Sequence, residues 1–411
     1  MYRSLLFLSG PFILYTKQYP QCVVVGGSYC RHWMGRQFSF PCLRNKHRST
    51  TILLANRNCH TKQGTRILFL GTPHCAAVSL QRWLQWSQQN PLVQIAAVIT
   101  QPANARHPSR NAKCSPVYEI ATQHQIPVWT PENLKDTSFL SQVTQLAPDI
   151  AITAAYGKWL PDAFLKIPKH GVVNIHPSLL PKFRGAAPVQ RALLQGVTET
   201  GVSILFTVSK MDAGPIIAQE KVVLHGDEMA GPLLTDLFLR GTDLIMSHLE
   251  SILQGTVKTW DQKEEEATYA PKLKKEEGWL SFHENAVVVH NKVRALSDSI
   301  GTFANFHIRQ GDQVTVLSRL KIHKTRLVRR DSVFALGIHQ VVLNPEKDGL
   351  RVTCDDGSQL DILEIQPSGK RVMNAREFYN GLQKKNIERE KVDWIHQSTR
   401  DKDLSPFNTT L

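Results

Sequence analysis

The sequence predicts an α/β protein in which a mostly parallel sheet, covered by helices on both faces, precedes a small β-rich domain that could close as a barrel. Three observations predict it. Short apolar runs alternate with helical stretches from residue 66 to about 254. A polar, charged segment at 255–275 interrupts that pattern. Beyond it, short alternating runs are separated by Gly-Asp, Asp-Gly and Asp-Gly-Ser turns.

The first 65 residues stand apart. Residues 1–66 hold ten Lys and Arg and no Asp or Glu, and the first acidic residue of the chain is Glu119. Of the net charge of +14, only about +4 belongs to the rest. A basic, hydroxylated, acid-free start has the character of an organellar transit peptide, so 1–65 is expected to be a leader and the protein to act in the mitochondrial matrix. Its apolar run at 5–14 could instead be a secretory core, but basic residues continue for fifty positions beyond it. Four of the seven cysteines lie in this leader; Cys75, Cys114 and Cys354 form no C-x-x-C pair, so neither a disulfide framework nor a zinc site is expected. No run of eighteen uncharged apolar residues appears, and no membrane span is expected.

The elements follow in order. Residues 66–70 form a first strand ended by Gly71-Thr-Pro73, then a helix carrying Val78, Trp83 and Trp86, then a strand at 93–100. Ser115-Pro116 has the hydroxyl cap and first-turn proline of a helix start. Residues 149–155 and 171–175 are further buried strands. Runs at 202–208 and 216–223, joined by a turn through Met211-Asp-Ala-Gly214, read as an antiparallel excursion, and a helix is expected over 230–253. Segment 255–275 is expected to be a linker, 276–390 the β-rich domain with runs at 303–308, 314–317, 333–336, 340–343, 350–354 and 360–365, and 391–411 a loose tail.

Ligands of such sheets gather outside the carboxyl ends of the strands. Asn174-Ile-His176 lies at one such end, and period two places both polar side chains on one face. Imidazole titrates near neutral pH and an amide can donate a fixed hydrogen bond, so the pair could stabilise an oxyanion or move a proton. Asp212 could orient His176 or accept a proton. Taken singly, a histidine beside an apolar strand is more often a packed core residue, and an aspartate beside glycine is usually turn chemistry. The two segments are 36 residues apart, and spacing does not show that they meet. Gly71-Thr-Pro73 lacks the G-x-G-x-x-G pattern and there is no P-loop, so dinucleotide binding has little support.

The ordered set Phe69-Leu-Gly-Thr-Pro73, Thr100-Gln-Pro102, Ala155-Tyr-Gly157 with Leu160-Pro161, Asn174-Ile-His-Pro-Ser-Leu-Leu-Pro181, Arg184-Gly-Ala-Ala-Pro188, Glu199-Thr-Gly-Val202 and Met211-Asp-Ala-Gly214 resembles the methionyl-tRNA formyltransferases. The likeness continues through Thr268-Tyr-Ala-Pro-Lys272, Lys275-Glu-Glu277 and Gln366-Pro-Ser-Gly-Lys370, covering about 66–390. It implies a Rossmann-like formyl-transfer domain at 66–254 and an OB-like, tRNA-binding barrel at 276–390. It implies Asn174, His176 and Asp212 as the catalytic trio, with Tyr156, Gly157, Leu160, Ser178, Leu179, Leu180 and Pro181 bordering the folate. The implied donor is 10-formyltetrahydrofolate, the acceptor the α-amino group of initiator Met-tRNA, the enzyme a monomer without metal.

Candidate tRNA contacts are Arg106, Arg110 and Lys113, in a loop that is Gly-rich and basic in bacterial members, together with Arg184, Arg326, Lys370 and Arg371. Residues 256–411 are nearly balanced, 25 basic against 22 acidic, so phosphate binding would rest on local clusters such as 319–330. A solvated strand face explains that cluster equally well. Another folate-dependent formyltransferase or a formyl-folate hydrolase shares the Asn-His-Asp logic, and a tRNA-binding protein with a vestigial site is the rival of another class.

Overall fold

The computed structural model describes residues 64–103, 114–310, 313–329, 340–383 and 392–394. The leader, the candidate contacts Arg106, Arg110 and Lys113, and the run at 333–336 lie outside the described residues.

The first sheet is built from β1 (Thr65–Gly71), β2 (Val93–Ile99), β3 (Val128–Trp129), β4 (Ile150–Ala154) and β5 (Val172–His176). It adds the antiparallel pair β7 (Glu199–Phe206) and β8 (Ile216–Val223); β6 is the short strand Arg184–Gly185. Strand order is β3-β2-β1-β4-β5-β7-β8, with the first five parallel. The strands read as unbroken apolar runs because both faces are covered. Ile67 and Phe69 point into one core with α1 (His74–Gln89), α2 (Pro116–Gln123), α5 (Pro188–Leu194) and α6 (Ala230–Gln254). Leu68 and Leu70 point into the other, with α3 (Thr137–Leu146) and α4 (Asp162–Leu165). Helix α2 starts where expected, Ser115 Oγ accepting from the Tyr118 amide at 3.1 Å. Helix α6 crosses the sheet at Gly241, where a Cβ would lie 2.4 Å from Ile175 Cγ2. That close approach holds α6 against β5, whose carboxyl end carries the candidate site.

The second unit is a closed barrel. Antiparallel pairs run from β11 (Gln313–Leu327) to β10 (Thr302–Gln310), β16 (Val392–Trp394), β12 (Gln340–Leu343), β13 (Leu350–Thr353) and β14 (Gln359–Gln366), and β14 pairs back to β11. A two-residue strand β15 (Met373–Asn374) extends β14, and α8 is Ala375–Gln383. Strand β16 corrects the expectation of a loose tail from residue 391: it fills the gap between β10 and β12, where open backbone edges demand partners. Helix α7 (Ala286–Leu296) was not foreseen. Its Val289 and Val293 lie in the barrel core, whereas Ala295 and Leu296 lie in the first core. One helix therefore serves both.

Segment 255–275 is not a loose linker. Trp260 exchanges both backbone hydrogen bonds with Ile216, at 2.8 and 3.1 Å. Further along, β9 (Tyr269–Ala270) pairs in parallel with β6. The composition is polar because one side faces solvent, while the backbone is committed to the first domain. No helix among the described residues is long and apolar enough to cross a membrane.

Candidate active site

Strand pairing brings β4 and β5 together at their carboxyl ends, placing Thr153 opposite Asn174. Thr153 Oγ1 donates to Asn174 Oδ1 at 2.7 Å. That bond turns the amide so that its N–H side faces the Met211–Gly214 turn, where Asn174 Nδ2 lies 3.5 Å from Asp212 Oδ1. Period two puts His176 on the same face, 3% exposed. Its Nε2 is 2.9 Å from the Phe183 carbonyl. A carbonyl only accepts, so Nε2 carries the proton. Nδ1 is then the nitrogen left to exchange a proton with the site, and it lies 3.7 Å from Asp212 Oδ2.

Asp212 reaches this position from the other side of the loop cluster. Its backbone is left-handed, φ 49°, an uncommon state for a residue with a Cβ. Its Oδ2 accepts from the Gly185 amide at 2.9 Å. Gly185 sits at φ 122°, and a Cβ there would lie 2.8 Å from the Ala270 carbonyl, so no other residue fits. The structure thus unites the three residues that the sequence left 36 positions apart.

The residues expected to border the folate divide. Gly157 is exposed, at φ 82°. Tyr156 and Leu160, by contrast, turn their side chains into the core beside Phe164. Burial pushes the Tyr156 hydroxyl up to about 12, so it stays a neutral phenol. What holds the Tyr156 loop is its carbonyl, which accepts from Gln101 Nε2 at 2.7 Å and Thr72 Oγ1 at 3.0 Å. Ser178 is buried, its hydroxyl spent on the Lys182 carbonyl at 2.7 Å. Leu180 packs against Leu205 and Ile216. Leu179 and Pro181, joined to it on either side, are half-buried. Ser203 ties this loop together, donating to the Ser178 carbonyl at 2.6 Å and accepting from the Leu180 amide at 3.0 Å.

Two basic residues expected to meet tRNA are otherwise engaged. Arg184 is 1% exposed; its guanidinium donates to Gln262 Oε1 at 3.0 Å and Glu264 Oε2 at 2.9 Å. Burial and pairing take it away from any phosphate. Arg326 makes a two-bond pair with Asp348, at 2.9 and 3.0 Å, and a third bond to Asp361 at 3.1 Å. Arg319, also in the basic cluster, lies over the Phe303 ring at 4.9 Å. Lys370 and Arg371 are exposed. Thr153, Ser203, Gly185 and Gln262 were missed in the sequence. The one available signal was Thr153, a lone hydroxyl in an apolar strand. No cluster of three metal-ligating side chains occurs among the described residues.

The chain matches the formyl transferase family over residues 65–235 and the formyl transferase C-terminal domain over 272–383. It is 35% identical over 315 residues to the methionyl-tRNA formyltransferase of Lactobacillus johnsonii, covering 77% of this chain and 95% of that one. Identity is 36% over 316 residues to the enzyme of that name from Myxococcus xanthus, with the same shares. Among solved structures, an N-formyltransferase from Helicobacter canadensis, in complex with folinic acid and dTDP-3-aminofucose, superposes with a TM-score of 0.52 at 18% identity, over 72% of this chain and 98% of its own. A sugar 3N-formyl transferase, WlaRD, gives 0.51 at 17%, over 75% and 99%. At those identities the structures speak for the fold alone. The relatives spanning both domains carry more weight: the chain belongs to the methionyl-tRNA formyltransferase family, transferases of one-carbon groups.

Proposed function

We propose that the protein moves the formyl group of 10-formyltetrahydrofolate to the α-amino group of initiator methionyl-tRNA, supplying formyl-Met-tRNA for mitochondrial translation initiation. The observation that carries this is the convergence of Asn174, His176 and Asp212 at the carboxyl edge of the sheet. The neutral amine attacks the formyl carbon, and the carbonyl electron pair moves onto oxygen. The Asn174 amide, its oxygen side already held by Thr153, donates to that oxyanion. The C–N10 bond then breaks. The proton lost by the amine passes to N10 by way of Asp212 and His176 Nδ1.

Incubating the full chain with 10-formyltetrahydrofolate and Met-tRNA is expected to yield formyl-Met-tRNA. Free formate instead would favour a formyl-folate hydrolase, and binding of both substrates without turnover a vestigial site. The mitochondrial address rests on the charge pattern of residues 1–65. A reporter carrying those residues should enter mitochondria, and a reporter left in the cytosol would refute that part.

With Arg184 of the first domain and Arg326 of the barrel engaged, the proposed tRNA surface is narrower than the sequence suggested. Charge reversal of Lys370 and Arg371 together should raise the KM for tRNA about threefold or more, with a shallower salt dependence. The KM for the formyl donor should not change. An unaltered tRNA KM would remove this loop from the interface.

A further inference from the structure

Chain segment 260–270 is the connection between the two domains, yet its hydrogen bonds converge on the catalytic turn. Gln262 Nε2 donates to the carbonyls of both Asp212 and Gly214, each at 2.8 Å. Gln262 Oε1 accepts from Arg184 Nε at 3.0 Å. The two carbonyls only accept and the guanidinium only donates, so this amide has one permitted orientation. Arg184 is in turn drawn to Glu264, which also pairs with Lys210 at 2.6 Å on the far side of the same turn. Six residues beyond Gln262, Thr268 Oγ1 accepts from the Phe183 amide at 2.8 Å, and Phe183 carries the carbonyl that holds His176.

We infer that Gln262 is a positioning residue of the transfer reaction, holding Asp212 in its left-handed conformation and so setting its carboxylate against His176, with Arg184 as the group that orients Gln262. This rests on the proposed role of Asp212. A residue at φ 49° reverts to ordinary backbone unless its surroundings over-determine it. The Gly185 amide grips only the side chain of Asp212. The Gln262 amide spans the turn's backbone, bridging residues 212 and 214 with one group. Without it, the carboxylate keeps its chemistry but not its place, and a shift of about 1 Å at a reacting group can cost on the order of a hundredfold in rate.

The test uses the full chain. Gln262→Ala should lower kcat at least tenfold while both KM values and the melting temperature stay close to wild type. Gln262→Glu, which replaces the donor facing two carbonyls with an oxygen, should fall as far. In an Asp212→Asn background, Gln262→Ala should cost nothing further, because the two act as one unit. Glu264→Gln, a change at an exposed carboxylate, should lower kcat a few-fold and covers the case in which the Gln262 variants fold poorly. Hydrogen exchange gives a readout independent of any acceptor: amides 211–214 should exchange at least tenfold faster in Gln262→Ala, with β1 unchanged. A kcat within twofold of wild type, or an equal proportional loss in the Asp212→Asn background, would overturn the inference while leaving formyl transfer intact. If wild type made no formyl-Met-tRNA, unchanged exchange at 211–214 would still refute the clamp.

Discussion

His176→Ala is expected to lower kcat for formyl transfer by about a thousandfold, with the affinity for tRNA nearly unchanged. Loss of a positioned acid–base group costs on the order of a hundredfold to ten-thousandfold in rate. The loss falls on His176 because Nδ1 is the ring nitrogen open to the reacting groups. Alanine also frees the Phe183 carbonyl, so loop movement could contribute. Asp212→Asn separates the effects: it keeps the size of the side chain and an oxygen for the Gly185 amide, but loses the charge and the proton acceptor. It should be nearly as inactive while retaining normal folate binding. Steady-state kinetics with both substrates varied decides the matter. Turnover within a few-fold of wild type for either variant would remove the trio from the reaction.

Much of the first domain could be read directly because its strands are buried on both faces. Runs such as residues 66–70 and 149–155 have no polar side to confuse with a helix, and the rule that ligands gather at carboxyl strand ends led to Asn174 and His176. What could not be read depends on partners remote in the chain. Arg184 was a candidate phosphate contact; its actual partners, Gln262 and Glu264, are about eighty residues away. Segment 255–275 has a linker's composition, and only the open edges of β6 and β8 reveal that its backbone is engaged. Helix α7 was obscured by Val287-Val-Val289, a β-branched run that favours strands. Its cap, Asn285 Oδ1 accepting from the Val288 amide at 2.9 Å, and its apolar spacing at Ala286, Val289 and Val293 were the available signals.

The second large effect is on stability. Asp361→Ala is expected to destabilise the barrel by about 3–5 kcal/mol, the usual cost of removing one partner from a buried ion pair. Asp361 is 1% exposed on β14, directly opposite Arg351 of β13 and Arg326 of β11. It accepts from Arg351 at 2.8 and 3.0 Å, from Arg326 at 3.1 Å and from Asn344 at 3.0 Å. This carboxylate sits at the seam where β14 returns to β11 and closes the barrel, between two guanidiniums whose repulsion it cancels. Burial alone would push its carboxyl up, yet the bonds from Arg351, Asn344 and Arg326 hold it below the usual carboxylate range. The sign of the pH dependence follows. A depressed folded-state value means the contribution is complete at neutral pH, begins to fade near the unfolded value of about 4, and is gone once pH has fallen through the folded value. Wild type should therefore lose barrel stability below about pH 4 more steeply than Asp361→Asn, which has no proton to gain. Calorimetry at neutral and acid pH, with hydrogen exchange resolved by strand, measures both. Faster exchange in β11, β13 and β14 with β1 and β4 unchanged is the expected pattern, because the two hydrophobic cores are separate clusters. A melting temperature unaltered by Asp361→Ala would mean that the seam does not hold the barrel closed.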